Sequence, residues 1–242
     1  MFADLWLILI PAGWTNKIKN DNEPELAFKS YFPSVYEHSL EVSKKQSKGK
    51  GLFNRDDQGD YWWELRHCAY YEKFEEPKII YPEFSQSSSF LFDTKDFYVL
   101  DTGWIIYGQK LEFITCLLNS KLLWFWLLQT VANLSEQAFR IKKFYLENLP
   151  IKVPSKEEEK RIVELVDKII QLKEPLNPLR GDFEEDNIEY PLSGDAVRLG
   201  LKDLEKEIDL MVYKLYDLTP EEAKIIDPTL TDSELALIGE KK

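Results

Sequence analysis

An α+β fold, mixed and strand-rich through residues 1–152 and closed by a C-terminal helical hairpin over 153–242, is predicted by three observations. Short apolar runs of strand length, edged by Gly, Pro or Asp, recur between residues 5 and 108. From Leu111 onward the apolar residues recur at helical spacing instead. Charge is also divided unevenly: residues 1–154 hold 18 basic and 20 acidic side chains, residues 155–242 hold 13 and 23, so −10 of the net −12 belongs to the last part.

The predicted strands are LWLILI over residues 5–10, PKIIYPEF from Pro77, SFLF from Ser89, FYVLD from Phe97 and GWIIYG from Gly103. Each combines β-branched or aromatic residues with turn residues at its ends. Leu111, Ile114, Leu117 and Leu118 then mark a helix, and Asn119-Ser120 offers a break with a capping hydroxyl before the apolar run Leu122 to Leu128. Two short helices in tandem are expected. Pro150 and Pro154 bracket an extended crossing segment, because proline and the residue before it both resist the helix. Ser155 with Glu158 is a capping box opening a helix from Lys156 to Lys173, whose Ile162, Leu165, Val166, Ile169 and Ile170 share one face. The acidic stretch Gly181 to Glu189 reads as a loop. Val197, Leu201, Leu204, Ile208, Met211 and Leu215 form a nearly heptad seam on a second long helix, and Thr219-Pro220 with Glu222 caps a small terminal one.

A length of 242 residues with 44% hydrophobic and 14% aromatic content suffices for a packed core, and 31% charged residues fit a soluble globular chain. The acidity excludes a uniformly basic nucleic-acid coat, so any DNA contact must be a local patch. Cys68 and Cys116 make no disulfide framework, and with only His38 and His67 beside them they make no four-ligand zinc site. A reducing cytoplasm is the expected setting. LWLILI has no preceding basic stretch and is interrupted by Pro11-Ala12-Gly13, which argues against a signal peptide. The run Leu122 to Leu128 is far below the roughly 20 residues of a spanning helix.

Catalytic motifs are sparse. An amino-methyltransferase needs a glycine-rich cofactor loop and an aromatic dipeptide after Asn-Pro-Pro to hold the flipped base, and neither occurs. Nor does the sequence contain a P-loop, dinucleotide fingerprint, HExxH or nucleophile elbow. Glu76-Pro77-Lys78, with Asp56, Asp57 and Asp60 upstream, resembles the carboxylate and lysine set of metal-dependent nucleases. A strand edge with solvated charges is the preferred reading of that triplet.

Two basic clusters are candidates for DNA contact. Lys44, Lys45, Lys48, Lys50 and Arg55 lie among Ser and Gly with no carboxylate in residues 43–55, the composition of a phosphate-tracking loop and equally of a solvated one. Arg140, Lys142 and Lys143 stand beside Gln137, where guanidinium and amide groups could read base edges; an exposed helix end is the alternative. Tyr61-Trp62-Trp63 and Tyr70-Tyr71 could stack on bases, although their alternation with Glu64, Leu65 and Arg66 more simply puts some rings in a core.

Five runs occur in a telling order: GDYWWELRHCAYYEKFEEPKIIYPEF from Gly59, DTGWIIYG from Asp101, Leu117 to Lys121, Asn148-Leu149-Pro150-Ile151, and EIDLMVYKLYDLTPEEAKII from Glu207. Together they resemble the TaqI-like C-terminal specificity domain, the target recognition domain of type IIG restriction-modification enzymes and of the large adenine methyltransferases of BREX phage defence. The closing run is also similar to the helical ends of type I specificity subunits. The resemblance implies a module that binds double-stranded DNA and selects the sequence on which a partner catalytic domain acts. Residues 1–152 would be the DNA target recognition domain, truncated at its N-terminus, and 153–242 a helical spacer. No cofactor is expected in this chain, since S-adenosylmethionine would be bound by a methyltransferase catalytic domain or subunit elsewhere, and the chain is expected to be a fragment or a split gene product. Two other expectations compete: an acidic protein-interaction module or DNA mimic, from the net charge, and a metal-dependent nuclease acting through Glu76 and Lys78.

Overall fold

The computed structural model describes residues 7–45, 51–99, 102–131, 133–135, 138–173 and 194–239. They form a mixed α+β structure with two small antiparallel sheets and a helical C-terminal region, as the sequence predicts. Among the described residues no single helix is long and apolar enough to cross a membrane. The chain divides into two compact units, one running to Phe74 and the other starting at Glu75.

The first unit holds helices α1 (Trp14–Ile18), α2 (Pro24–Tyr31) and α3 (Pro33–Lys45) and a 3-10 turn, Tyr71–Phe74. Here the structure departs from the sequence reading. Residues 7–10 carry no regular strand, and 5–6 lie outside the described residues. Ile10 makes one ladder-like bond, accepting from the Leu65 N–H at 2.7 Å, before Pro11 and the left-handed Gly13 (φ 79°) turn the chain into α1. Lys44 and Lys45, expected in a flexible loop, end α3 instead. The core is aromatic: Phe28 stacks on Trp63 at 5.2 Å and meets Tyr36 and Trp14 edge-on at 5.8 and 6.0 Å.

The organising side chain of this unit is Glu64, a carboxylate with 0% exposure. Its Oε2 accepts from the main-chain N–H groups of Gly13 and Asp60, both at 3.0 Å, and its Oε1 from that of Thr15 at 2.8 Å. Three amide donors satisfy a charge that burial alone would penalise by several kcal/mol, on the order of magnitude of an unpaired buried ion. Thr15 in turn accepts from the Trp63 indole N–H at 2.8 Å, so the same few residues fix both the entry to α1 and the Trp63 ring. At Gly59 a Cβ would lie 2.6 Å from the Leu65 carbonyl oxygen and 2.7 Å from the Glu64 Cβ, which explains glycine there.

The second unit starts with strands β1 (Lys78–Pro82), β2 (Phe84–Ser85), β3 (Leu91–Asp93) and β4 (Gly103–Ile106), followed by α4 (Leu111–Asn119) and α5 (Lys121–Thr130). Strands β5 (Asn133–Ser135) and β6 (Ala138–Arg140), then α6 (Lys143–Glu147), α7 (Lys156–Lys173), α8 (Gly194–Leu215), α9 (Pro220–Ile226) and α10 (Asp232–Gly239) complete it. One sheet has the order β3-β1-β4 and the other β2-β6-β5. The strand expected at Phe97 is absent over 97–99, because Asp93 accepts from the N–H groups of Lys95 (2.9 Å) and Phe97 (3.1 Å) and curls the chain; 100 and 101 lie outside the described residues. The tandem helices are present, with the Ser120 hydroxyl capping α5 through the Leu123 N–H at 3.3 Å. Both capping boxes form: Ser155 with Glu158, and Thr219 with Glu222. The Gly181 to Glu189 stretch lies outside the described residues.

A single core joins Ile79 and Tyr81 of β1 with Leu117 and Leu127 of the tandem helices, Ile162 and Leu165 of α7, and Ile208 and Val212 of α8. The predicted α8 seam thus packs on α7 and on the sheet's helices together. A second cluster, Tyr213, Ala223, Leu230 and Ile238, seats α9 and α10 on α8. Lys121 pins these layers: its N–H donates to Asp209 of α8 at 2.8 Å and its ammonium to Asp227, at the end of α9, at 2.7 Å. Burial pushes the Asp209 carboxyl up to about 6 against the Lys121 hydrogen bond. Asp227 is buried too, but hydrogen bonds from Lys121 and Thr229 outweigh that and hold it below the ordinary carboxylate range.

Candidate nucleic-acid interface

Of the Glu76-Pro77-Lys78 triplet only Lys78 lies in a strand, Glu76 and Pro77 preceding it, and Lys78 is neither at a sheet edge nor solvated. It lies on the central strand β1, opposite Asp93 of β3. Its ammonium sits 2.6 Å from the Asp93 carboxylate, with side-chain exposures of 0% and 2%. An ammonium inside such a pair is spent on structure and cannot reach an attacking water. Among the described residues no group of three His, Cys, Asp or Glu side chains could hold a metal ion.

The cluster around residue 140 is built differently. Pro82, which has no N–H to donate, is the last residue of β1, and Glu83 becomes a junction between the two sheets. Its N–H donates to Thr102 at 2.8 Å and its carbonyl accepts from Ile141 at 2.7 Å. Beyond it β2 pairs antiparallel with β6, setting Phe84 opposite Arg140 and Ser85 opposite Phe139. Strand alternation then sorts the side chains. Phe139 turns inward and meets Trp124 of α5 edge-on at 6.0 Å. Arg140 turns outward, donates its Nε–H to the Glu83 carboxylate at 2.6 Å, and lies 5.5 Å from the centroid of the Phe84 ring. Phe84 is 45% exposed and the Arg140 side chain 40%. Below them, burial first and the Glu83 charge second push the Tyr81 phenol up to about 12.

Around this pair the surface is polar and cationic. Lys142 precedes α6, and the exposed Lys143 makes an i,i+4 pair with Glu147 at 3.3 Å, a contact worth a few tenths of a kcal/mol, roughly. Ser85, Ser87 and Ser89 share short hydroxyl bonds beside Phe84: Ser85 Oγ donates to the Ser87 carbonyl at 2.6 Å. Gln137 lies outside the described residues. The structure therefore brings Arg140 together with Glu83 and Phe84, neither of which stands out in the sequence. The available signal is weak, an exposed aromatic beside a proline-ended strand.

The first basic cluster is less collected. Lys44 is exposed at the C-terminal end of α3, where the helix dipole favours a cation. The Lys45 side chain, Lys48 and Lys50 lie outside the described residues. Arg55 is half-buried and its guanidinium donates to the main-chain carbonyls of Glu64 and Trp62, bracing the Glu64 turn from its other side. Of the aromatic candidates Trp63 belongs to the core, Tyr61 stacks on it at 5.1 Å, Trp62 lies 4.4 Å from Phe53, and Tyr70 is exposed.

Comparison with known families gives a match over residues 24–151, just over half of the chain, to the TaqI-like C-terminal specificity domain. That span contains Lys44, Arg55, Glu83, Phe84, Arg140, Lys142 and Lys143 and stops before α7. No curated protein matches the chain.

Proposed function

Because the chain belongs to the family of TaqI-like C-terminal specificity domains, whose members recognise DNA targets in restriction-modification systems, we propose that it is the sequence-specific DNA recognition module of a restriction-modification or phage-defence adenine methyltransferase. The family match over 24–151 is the observation that carries this reading. Recognition falls to residues 1–152 and support to 153–242, and the charge distribution favours that division: carboxylates dominate the second part and would repel phosphates. Methyl transfer, with its S-adenosylmethionine, belongs to a catalytic domain or subunit outside these residues, in the cytoplasm. The exposed Lys44 and Lys143 and the half-buried Lys142 supply cations for phosphate contact, which fixes register without reading sequence. Arg140 and Gln137 are the candidates for base contact.

The nuclease reading loses its lysine to the Asp93 pair. The DNA-mimic reading has exposed carboxylates such as Glu164, Asp167, Asp203 and Glu205 to draw on, but the family match over 24–151 favours recognition of DNA.

The test is binding of the full chain to fluorescent random-sequence duplex at graded salt, followed by selection from a randomised duplex pool. The expected result is a salt-dependent affinity and an enriched sequence. Absence of duplex binding at low salt would refute the proposal.

A further inference from the structure

Glu83 changes what Arg140 can do. A guanidinium meant for phosphate works best with its full charge, but a carboxylate 2.6 Å away neutralises this one and repels a phosphate oxygen. The same contact uses only Nε. Among the described residues Nη1 and Nη2 take no hydrogen-bond partner, so the far end of the fork stays available. Two parallel N–H donors at that end match the O6 and N7 acceptors that guanine shows in the major groove. The fork is also braced. The Phe84 ring, opposite in register, has its centroid 5.5 Å from the guanidinium carbon, and two main-chain bonds hold the backbone of Glu83.

Resting on the recognition function proposed above, we infer that Arg140 reads a guanine in the major groove, and that Glu83 is a positioning residue which aims the guanidinium and removes its attraction for phosphate. The recognised sequence therefore contains a G·C pair assigned to this one side chain. Glu83 and Phe84 supply the rigid seat, and Lys142 and Lys143, next in the chain, supply the cationic charge that Arg140 no longer offers.

The experiment is selection of the full chain, wild type and variants, from a randomised duplex pool, with thermal melts to verify folding. In the wild type one position should require G·C. Arg140→Ala and Arg140→Lys should each make that position degenerate while the others persist, because lysine keeps the charge but lacks the fork. Replacing the selected guanine by 7-deazaguanine, which lacks the N7 acceptor, should weaken wild-type binding by up to roughly 5- to 150-fold and leave Arg140→Ala unaffected. Glu83→Gln keeps an acceptor for Nε and should retain the guanine preference, with a log-log salt slope on random duplex steeper by up to about 0.9. Glu83→Ala should lose the preference and steepen the slope alike. A variant effect confined to stability would move neither the degenerate position nor the slope. An unchanged selected sequence in Arg140→Ala, or no effect of 7-deazaguanine on the wild type, overturns the inference and leaves the recognition function standing. A wild-type protein that binds duplex but enriches no sequence overturns both.

Discussion

Removing the Asp93 carboxylate should cost the second unit a large part of its stability. The pair it makes with Lys78 is almost water-free, with exposures of 0% and 2%, so Asp93→Ala leaves an ammonium in the core without its 2.6 Å counter-charge. Removing one member of a buried pair costs about 3–5 kcal/mol, because the ammonium keeps its desolvation penalty and loses the near attraction that offset it. The N–H groups of Lys95 and Phe97 also lose their acceptor, but Lys95 is exposed and water can replace it, so they add about 1 kcal/mol at most. For a unit of this size the sum corresponds to a fall in melting temperature of about 6–24 °C. The double variant Lys78→Met with Asp93→Leu should instead come within about 1–2 kcal/mol of the wild type or exceed it, since apolar replacements fill the same space with no charge to desolvate. Urea unfolding followed by far-ultraviolet circular dichroism reports on this, because α7 and α8 share the core with β1. An Asp93→Ala protein within about 1 kcal/mol of wild type, or a double variant as damaged as the single one, would refute the reasoning.

Four further outcomes are expected. Glu64→Ala orphans three main-chain donors in the first unit and should destabilise it by roughly 3 kcal/mol or more, seen as loss of the buried Trp63 fluorescence signal at lower urea; Glu64→Gln should recover part of it. Asp209 has a folded-state carboxyl raised from 3.8 to about 6, so below that value the folded state binds the extra proton and stability falls as pH rises through the window. Asp209→Asn should remove that component, about 1.4 kcal/mol per pH unit between about pH 4 and 6, in urea titrations; an unaltered slope would exclude the burial argument. Replacing Lys142 and Lys143 with alanine should flatten the salt dependence of duplex binding by about 0.9 for each phosphate no longer neutralised, with equal weakening on selected and random sequences. Leu204→Asp puts a carboxylate against the α7–α8 core and should cost several kcal/mol, about what an unpaired buried charge demands, with loss of helicity on melting.

What the sequence discloses of this fold is what neighbours in the chain decide. Ser120 breaking the tandem helices, the Ser155 and Thr219 capping boxes and the α8 seam all depend on residues a few positions apart. The helices α2 and α3 are equally open to this logic, since Pro24 and Pro33 stand at their first positions, but the glycine- and lysine-rich stretch after them masks the pattern with the composition of a loop. The site is less legible. Glu83 meets Arg140 across 57 positions and Glu64 meets Gly13 across 51, so only the paired strands and the turn reveal them. Lys78 shows the limit from the other side: a lysine at the start of a strand is expected in water, and the facing Asp93 helps make its burial tolerable.

The shared core of the second unit bears on how specificity can be exchanged between such proteins. A chimera cut at residue 151, where the family match stops, would part β1 and the tandem helices from Ile162 and Ile208, and the graft would arrive with part of its interior missing. A junction after Phe74 respects the boundary between the compact units and carries α7 and α8 with the strands they support. Transplanting the strands by this route means moving α7 and α8 with them, whereas exchanging outward residues of β2 and β6 in place leaves every inward partner as it was.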